Sequence, residues 1–333
     1  MARYSLMVAA LLGFLITAAA ENILLPLLRR LQLHKVANQP VLRRSQPAPP
    51  VMGGFAVVLG TMGAVAAAWT GIAVLEPRLV DSYQRKLLMI AMISCTLFAL
   101  LGIWDDLRTY LRRDHHPLPW LWRILGEGMI AAAFLGSMDM MEALPYGTNV
   151  PFFGYLEFGP WVFPLGIVTM IALMEGAALT AQGDGGCSMQ GFFACLVCSL
   201  VAALQNHMQT ALLATALSGA LLAFLLWGFP PAKLLLGRTG SSFVAAVIAA
   251  VVISTGWGGL LLFLGGLYWV EGGAYLAQGL SYRIRKRPLF KKVPLRLAME
   301  EAGWSERRIV GTVGLTSLMF SMLALLQVLT AVM

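Results

Sequence analysis

The chain has 333 residues, of which 59% are hydrophobic and only 12% are charged, and its formal net charge is +8. Soluble domains carry about 25% charged residues, so this composition excludes an ordinary soluble protein and indicates an all-α integral membrane protein. The positive charge would suggest a nucleic-acid partner in a soluble protein. In a membrane protein it indicates basic cytoplasmic loops instead, and no nucleic-acid partner is expected.

Ten apolar segments could cross a bilayer as helices, which need about 20 residues each. They are residues 5–27, 52–75, 87–104, 119–138, 158–175, 191–205, 209–228, 239–255, 258–280 and 309–332. The sixth and eighth are short and rich in glycine, which favours tilted or broken helices there. The first is either a retained helix or a cleaved signal peptide. We predict a single polytopic membrane domain over 1–333 with about ten transmembrane helices.

Basic residues are dense after the first, third and ninth apolar segments, whereas loop 139–157 contains no Lys or Arg. The positive-inside rule places the basic loops in the cytoplasm, and both termini then lie on the outer side of the membrane. Loop 76–86 is also basic and departs from this alternation.

Two connections have a pattern of their own. The aromatic residues, Pro and Gly of 139–157 predict a short hairpin on the outer face. The basic cytoplasmic loop 281–308 contains PLRLAMEEAGW, which predicts a short helix. Just before it, Glu271 and Gln278 are seven residues apart and share a helix face, which favours interhelical hydrogen bonding.

The cysteines lie in or beside apolar segments. Cys195 and Cys198 form a CxxC at helical spacing, which favours small buried residues, although redox or metal work is the alternative. No disulfide framework is predicted.

Polar residues at the ends of three apolar segments call for an explanation. Asp105 and Asp106 follow the third segment, and adjacent carboxylates repel each other unless a cation lies nearby. They indicate either a metal or phosphate-transfer site, or a helix end that faces Arg108 or Arg112. Asp184 lies in a glycine-rich loop, LTAQGDGGCSMQG, which indicates either close approach to a ligand or a tight turn.

The third such residue is Arg238, in GRTGSS at the start of the eighth segment. The surrounding glycines and serines could present backbone N–H groups to an anion at a helix N-terminus, although the spacing is not that of a Walker A loop. Because all three clusters fall at cytoplasmic ends, we predict a cytoplasmic-face cleft for an anionic, phosphate-bearing substrate with or without a lipid tail.

Several stretches in order resemble motifs of the polyprenyl-phosphate phospho-sugar transferases, and most closely those of phospho-N-acetylmuramoyl-pentapeptide transferases. These stretches are QPAPPVMGGF, LLGIWDDLRTY, GFPPAKLLLGRTGSSF and RPLFKKVPLRLAMEEAGWSERRIV. The resemblance runs from about residue 20 to the C-terminus. It implies ten membrane helices in the bacterial inner membrane and Mg²⁺-dependent transfer of a phospho-sugar from a UDP-sugar to undecaprenyl phosphate, with release of UMP.

The resemblance also implies roles for individual residues. It makes Asp105, Asp106 and Asp184 the catalytic residues and the remaining candidates to hold Mg²⁺. It places the substrate phosphate at Arg238, Thr239, Gly240, Ser241 and Arg296. Polyprenyl phosphate, a UDP-sugar and the bilayer are the implied partners, and a second copy of the chain or cell-wall synthesis proteins are candidate protein partners.

The departures from the family pattern fall mainly on the positions that carry the family's reactive groups. Arg238 stands where the family has a Mg²⁺-binding aspartate, and Gln46 and Gly228 replace a lysine and an asparagine. The asparagine and aspartate motif of the family falls on Glu175, Ala178, Ala181, Gln182 and Asp184, so only its last Asp-Gly survives. Three consecutive histidines fall on Arg296, Leu297 and Ala298.

Three hypotheses follow. The first is a catalytically degenerate homologue that binds polyprenyl (di)phosphate or a nucleotide sugar in a regulatory, scaffold or lipid-handling role. The second is a divergent but active phospho-sugar transferase of peptidoglycan or surface-glycan synthesis. The third is an unrelated transporter.

Overall fold

The computed structural model describes residues 2–30, 49–75, 81–111, 117–150, 152–183 and 185–332. The described residues form twelve α-helices and one pair of short strands. The helices are α1 (Ala2–Arg30), α2 (Gly54–Leu75), α3 (Ser82–Leu111), α4 (Trp120–Asp139), α5 (Val162–Thr180), α6 (Gly186–Leu204), α7 (Met208–Gly228), α8 (Gly237–Ser254), α9 (Leu261–Leu264), α10 (Gly266–Arg285), α11 (Leu295–Glu301) and α12 (Glu306–Val332).

The two strands lie within the segment for which the sequence predicts a hairpin. β1 (Gly147–Val150) and β2 (Gly154–Glu157) pair antiparallel, with Gly147 opposite Glu157. The short helix α11 likewise lies within the basic loop 281–308. The sides of the membrane on which these two segments lie stay predictions.

Among the described residues, eight helices are long and apolar enough to cross a membrane, and α9 with α10 gives up to nine if that bent pair is one span. Helix α4 coincides with the fourth predicted segment but carries Arg123 and Glu127, and it is not one of these eight. The chain is therefore an all-α membrane protein. The number of ten spans and the orientation of the termini stay predictions.

Of the two alternatives for the sixth and eighth segments, a broken helix was wrong, and a tilted helix stays a prediction. Helices α6 and α8 are continuous, and the chain bends by 76° between the Gly258–Leu264 and Gly266–Arg285 pieces of the ninth segment instead. The small residues of α8 serve close packing. Every residue from Thr239 to Ser254 is buried, against α2, α3, α5, α6 and α7.

Two close approaches bring the start of α8 beside other helices. A Cβ atom at Gly102 of α3 would lie 2.8 Å from the Cα atom of Thr239, so only glycine allows α3 to approach this near. The backbone N–H groups of Gly53 and Gly54 donate to the carbonyls of Leu235 and Leu236 at 2.9 and 2.8 Å. The Met-Gly-Gly segment before α2 is thereby paired with the segment before α8.

Two further expectations concern buried side chains. The cysteine thiols are free and buried, as the packing interpretation predicts, at Cys95, Cys187, Cys195 and Cys198. The expected interhelical hydrogen bonding is found for Glu271, which accepts a hydrogen bond at 2.9 Å from the backbone N–H of Leu295, the first residue of α11. It was wrong for Gln278, which binds the backbone of residues 289–290 in the connection. Both side chains hold the connection that follows α10.

Candidate functional site

A cavity of about 1100 Å³ lies among α3, α4, α5, α10 and the start of α8. One part of its wall is apolar, with contributions from Trp120, Ile124, Val168, Ile171 and Leu276. Another part is charged and includes Asp105, Asp106, Arg123, Glu175 and Arg238. A pocket with both kinds of wall suits an amphiphile whose charged head and apolar tail bind at different places.

Arg238 lies in the first turn of α8, and its guanidinium is seated among carboxylates of three other helices. One terminal nitrogen, Nη2, contacts Glu127 Oε1 at 2.8 Å and also Glu175 Oε1. The Nε atom lies 3.9 Å from Asp105 Oδ2. Glu127 is almost fully buried, with 2% of its side chain exposed, so this arginine supplies a counter-charge that water cannot.

A second arginine, Arg123 of α4, binds the same glutamate. Its Nε and Nη2 atoms donate to the two carboxylate oxygens of Glu175 at 2.8 and 2.9 Å, which is a bidentate pair. Glu175 therefore bridges Arg123 and Arg238. We call the six side chains the charge cluster, namely Asp105, Asp106, Arg123, Glu127, Glu175 and Arg238.

Asp106 holds the start of α8 in place. It accepts hydrogen bonds from the backbone N–H groups of Arg238 and Thr239, at 3.0 and 2.9 Å, and from the Thr239 hydroxyl at 2.7 Å. Gly237 has φ +73°, and a Cβ atom there would lie 2.8 Å from Asp106 Oδ2. A glycine is thus required where α3 and α8 meet.

Asp105 binds a different backbone segment. Its Oδ1 atom accepts a hydrogen bond at 2.7 Å from the N–H of Leu118, just before α4. Helix α3 continues to Leu111, so the Asp105–Asp106 pair lies inside its last turns rather than at its end. The hydrogen bonds of the pair go to α8 and to residue 118 rather than to Arg108, and Arg112 lies outside the described residues.

The other residues assigned to substrate phosphate have internal contacts. Thr239 is fully buried on Asp106, and the hydroxyl of the buried Ser241 donates to the Arg238 carbonyl at 3.1 Å. Gly240 is buried against Leu236 and Gly54. Their role in binding phosphate stays a prediction, and of this group Arg238 is the one that lines the cavity.

Arg296 lies apart from Arg238. It pairs with Glu300 at 2.8 Å and donates to the carbonyl of Gln182 at 3.2 Å, and it lines a separate small pocket of about 40 Å³. Leu179 and Gln182 line both pockets and connect them. Asp184 lies outside the described residues.

The carboxylates around Arg238 surround a guanidinium where a magnesium ion would otherwise lie. Mg²⁺ takes oxygen ligands in octahedral geometry, usually one or two carboxylates with waters and substrate phosphates, and a guanidinium cannot be one of its ligands. Arg238 occupies the space between three carboxylates, and both Asp106 oxygens bind donors at the start of α8. Among the residues that the structure describes, no group of three Asp, Glu, His or Cys side chains could hold a metal ion.

Sequence reasoning missed Arg123 and Glu127. Both lie four residues apart within the predicted fourth segment, 119–138, where a charged side chain indicates a buried partner or a functional site. That signal was available from the sequence. Their partners, Glu175 for Arg123 and Arg238 for Glu127, are distant in the chain, so the cluster itself requires the fold.

The chain is similar in sequence to known proteins along most of its length. The family model of glycosyl transferase family 4 matches residues 88–256. The chain is 28% identical over 328 residues to the phospho-N-acetylmuramoyl-pentapeptide-transferase of Halalkalibacterium halodurans, with 96% of each chain covered. It is 30% identical over 333 residues to the protein of that name from Thermosynechococcus vestitus, with 95% of this chain and 84% of the relative covered. The chain therefore belongs to glycosyl transferase family 4 and is similar along its length to phospho-N-acetylmuramoyl-pentapeptide transferases.

Proposed function

We propose that this multi-pass bacterial membrane protein binds a polyprenyl phosphate, a polyprenyl diphosphate or a nucleotide sugar without transferring phospho-sugar. Its role is that of a regulator, scaffold or lipid handler in the cytoplasmic membrane. The observation that supports the proposal is the position of the Arg238 guanidinium among the carboxylates of Asp105, Glu127 and Glu175. A protein cation stands where the family resemblance implies a metal ligand.

The chemistry of arginine supports a loss of the metal. An aspartate at 238 would add a fifth carboxylate to the cluster, and such a concentration of negative charge needs a bound cation. Arginine changes the charge at that position by two and stays protonated, so it neutralises the neighbouring carboxylates permanently. The resemblance adds further changes at reactive positions, including Gln46, Gly228 and Arg296.

Binding of a phosphate headgroup requires a cation that can exchange partners. Arg123 and Arg238 both bind Glu175, whose side chain is 27% exposed on the cavity wall. Two oxygens of a tetrahedral phosphate bind a guanidinium bidentately as a carboxylate does, so a phosphate can replace this carboxylate on both arginines. The apolar wall near Trp120 and Leu276 would then hold the lipid tail.

The second candidate function is a divergent, active phospho-sugar transferase. It is favoured by the position of Asp105, Asp106 and Arg238 on the wall of one cavity. Arginine side chains stabilise charge on a transferring phosphoryl group, so Arg238 could act on the diphosphate directly. This candidate requires turnover, whereas the first requires binding alone.

One experiment separates the two functions. Full-length protein in detergent is incubated with undecaprenyl phosphate and a panel of UDP-sugars in Mg²⁺, and both UMP release and ligand-induced thermal stabilisation are measured. We expect stabilisation by undecaprenyl phosphate or a UDP-sugar without UMP release. Arg123→Gln should weaken binding about ten-fold or more, because a hydrogen bond to a charged group is worth about 1.5–3 kcal/mol.

The control is Arg30→Gln, at an exposed arginine in the last turn of α1, which should bind like the original protein. Robust UMP release that is lost in Asp105→Asn would overturn the degenerate function and establish the active one. Absence of both binding and turnover would reject both functions.

A further inference from the structure

The segment that follows α10 is strongly basic and exposed. Residues 272–299 contain no Asp or Glu. Six exposed cations lie within 283–292, a segment that we call the basic hook, at Arg283, Arg285, Lys286, Arg287, Lys291 and Lys292. Lys292 pairs with Glu301 at 3.7 Å, and no ion pair of the other five is found within the described ranges. This concentration of unpaired charge needs an external anion or solvent.

The basic hook has a defined shape. Lys286, with φ +54°, ends α10 in the left-handed conformation and reverses the chain. The side-chain oxygen of Gln278 then accepts hydrogen bonds from the backbone N–H groups of Leu289 and Phe290 at 3.0 and 2.8 Å. The Ser281 hydroxyl donates to the Arg287 carbonyl at 2.8 Å. Two side chains of α10 thus hold the hook against the helix end.

An apolar stripe leads directly into the hook. Leu276, Leu280 and Ile284 lie four residues apart on α10 and are 70%, 58% and 69% exposed. In a membrane protein such a stripe contacts acyl chains, because exposure of three large apolar side chains to water is unfavourable. The cations at its end therefore lie at the depth of the lipid headgroups.

We propose that the basic hook binds the headgroups of anionic phospholipids in the surrounding bilayer. Clusters of four to eight Lys and Arg residues next to a membrane helix bind anionic lipids. Each basic residue near the membrane surface raises the affinity about five-fold. The positive-inside rule explains the number of basic residues but requires no folded hook. The hydrogen bonds of Gln278 give the cations a fixed arrangement beside the acyl chains. This inference does not depend on the proposed function.

Amide hydrogen exchange of residues 286–293 tests the proposal on the full-length protein in nanodiscs. The probe lipid is phosphatidylglycerol at about 40%, compared with phosphatidylcholine alone. We expect exchange to slow by about five-fold or more in phosphatidylglycerol, which is the effect of one well-placed basic residue. The difference should disappear in 1 M NaCl, where the Debye length is about 3 Å. Equal exchange in the two lipids at low salt would overturn the proposal.

Two variants separate the hook from general charge. Arg283→Gln/Arg285→Gln/Lys286→Gln/Arg287→Gln should remove the lipid dependence, whereas Arg29→Gln/Arg30→Gln, at the exposed end of α1, should retain it. Gln278→Ala keeps every charge but releases the backbone of 289–290, and it should lose most of the lipid dependence. Its matched control is Gln84→Ala, which removes a hydrogen bond to the Asn206 carbonyl elsewhere. Full lipid dependence in Gln278→Ala would contradict a binding site built by the hook.

A last arm identifies the lipid. Undecaprenyl phosphate is added to phosphatidylcholine nanodiscs at one molecule per protein. We expect no protection of 286–293, because the proposed partner is the bulk anionic phospholipid. Protection at this ratio would assign the hook to polyprenyl phosphate and overturn the proposal.

Discussion

The charge cluster and the basic hook use the same kinds of residue in opposite surroundings. In the cluster, each of two guanidinium groups contacts at least one carboxylate at a distance of 2.8 Å. In the hook, one of six cations has an acidic partner among the described residues, and that pair is exposed. A cation inside a helix bundle must be neutralised by the protein, whereas an exposed cation can be neutralised from outside.

This difference bears on how each region can function. The cluster contains four carboxylates and two guanidinium groups, so acidic groups outnumber basic groups there. Arg238 acts as an internal counter-charge to these carboxylates. An anion that replaces the Glu175 carboxylate can contact both arginines, and Glu175 is the most exposed of the carboxylates that bind Arg238. The hook requires no displacement. Variants at the two regions should therefore differ in stability and in binding.

The largest expected effect is at Arg238. Arg238→Met leaves Glu127 buried without its counter-charge, and breaking a buried pair from one side costs about 3–5 kcal/mol of unfolding free energy. Denaturant titration of the detergent-solubilised protein measures this loss. Arg238→Lys, which keeps the charge but loses the planar fork, should lie between Arg238→Met and the original protein.

The matched control for Arg238→Met is Arg283→Met in the basic hook. This exposed arginine should change the unfolding free energy by less than about 0.5 kcal/mol. Equal losses at positions 238 and 283 would show that burial does not distinguish the two regions.

A double-mutant cycle measures the coupling energy of one buried ion pair, Arg238 and Glu127, against that of a more exposed pair. We expect Arg238→Met and Glu127→Leu to be coupled by about 1–3 kcal/mol, because the two side chains are in direct contact at 2.8 Å in a buried setting. The control cycle uses Arg296 and Glu300, which have the same 2.8 Å separation but are more exposed. Its coupling should be about 0.3–0.5 kcal/mol, and a larger value there than at Arg238 would refute the dependence on burial.

Asp106→Asn tests the cap that holds the start of α8. The carboxylate accepts three hydrogen bonds from Arg238 and Thr239, and an asparagine amide nitrogen cannot accept any of them. Loss of such a cap costs about 1–2 kcal/mol of unfolding free energy. Asp81→Asn is the control, since Asp81 is exposed and accepts one hydrogen bond from the Tyr83 backbone at 3.1 Å. A loss at Asp81 as large as that at Asp106 would argue against the cap.

Much of the fold follows from the sequence because the apolar segments are long. Helices occupy all ten predicted segments within the described residues, with α10 split from α9 at the ninth. The hydropathy pattern gives no position for the 76° bend, since Gly265 is one of several glycines there. The sequence likewise left open whether α8 is tilted or broken, because small residues indicate flexibility in isolation and close packing in a bundle.

The candidate site was predicted in part. Asp105, Asp106 and Arg238 were identified from adjacent charges and a loop pattern, and the structure brings them to one cavity wall. The charge of Glu127 inside an apolar segment was visible in the sequence, but its pairing with Arg238 was not, because the two residues are 111 apart along the chain. The family resemblance placed Arg296 with Arg238, yet Arg296 lies at a separate pocket next to Gln182. Local pattern identifies charged residues in apolar segments, but their pairing is a property of the fold.

The smallest expected effect is at the one ion pair of the basic hook. Lys292 and Glu301 are 3.7 Å apart, with side chains 43% and 49% exposed. Glu301→Gln should change the unfolding free energy by less than about 0.5 kcal/mol, because solvent screens such a pair. The same change frees Lys292, so protection of 286–293 by phosphatidylglycerol should stay equal or increase. A loss of stability as large as that of Asp106→Asn would show that this pair is structural. A loss of lipid protection would show that the cations of the hook do not bind the bilayer.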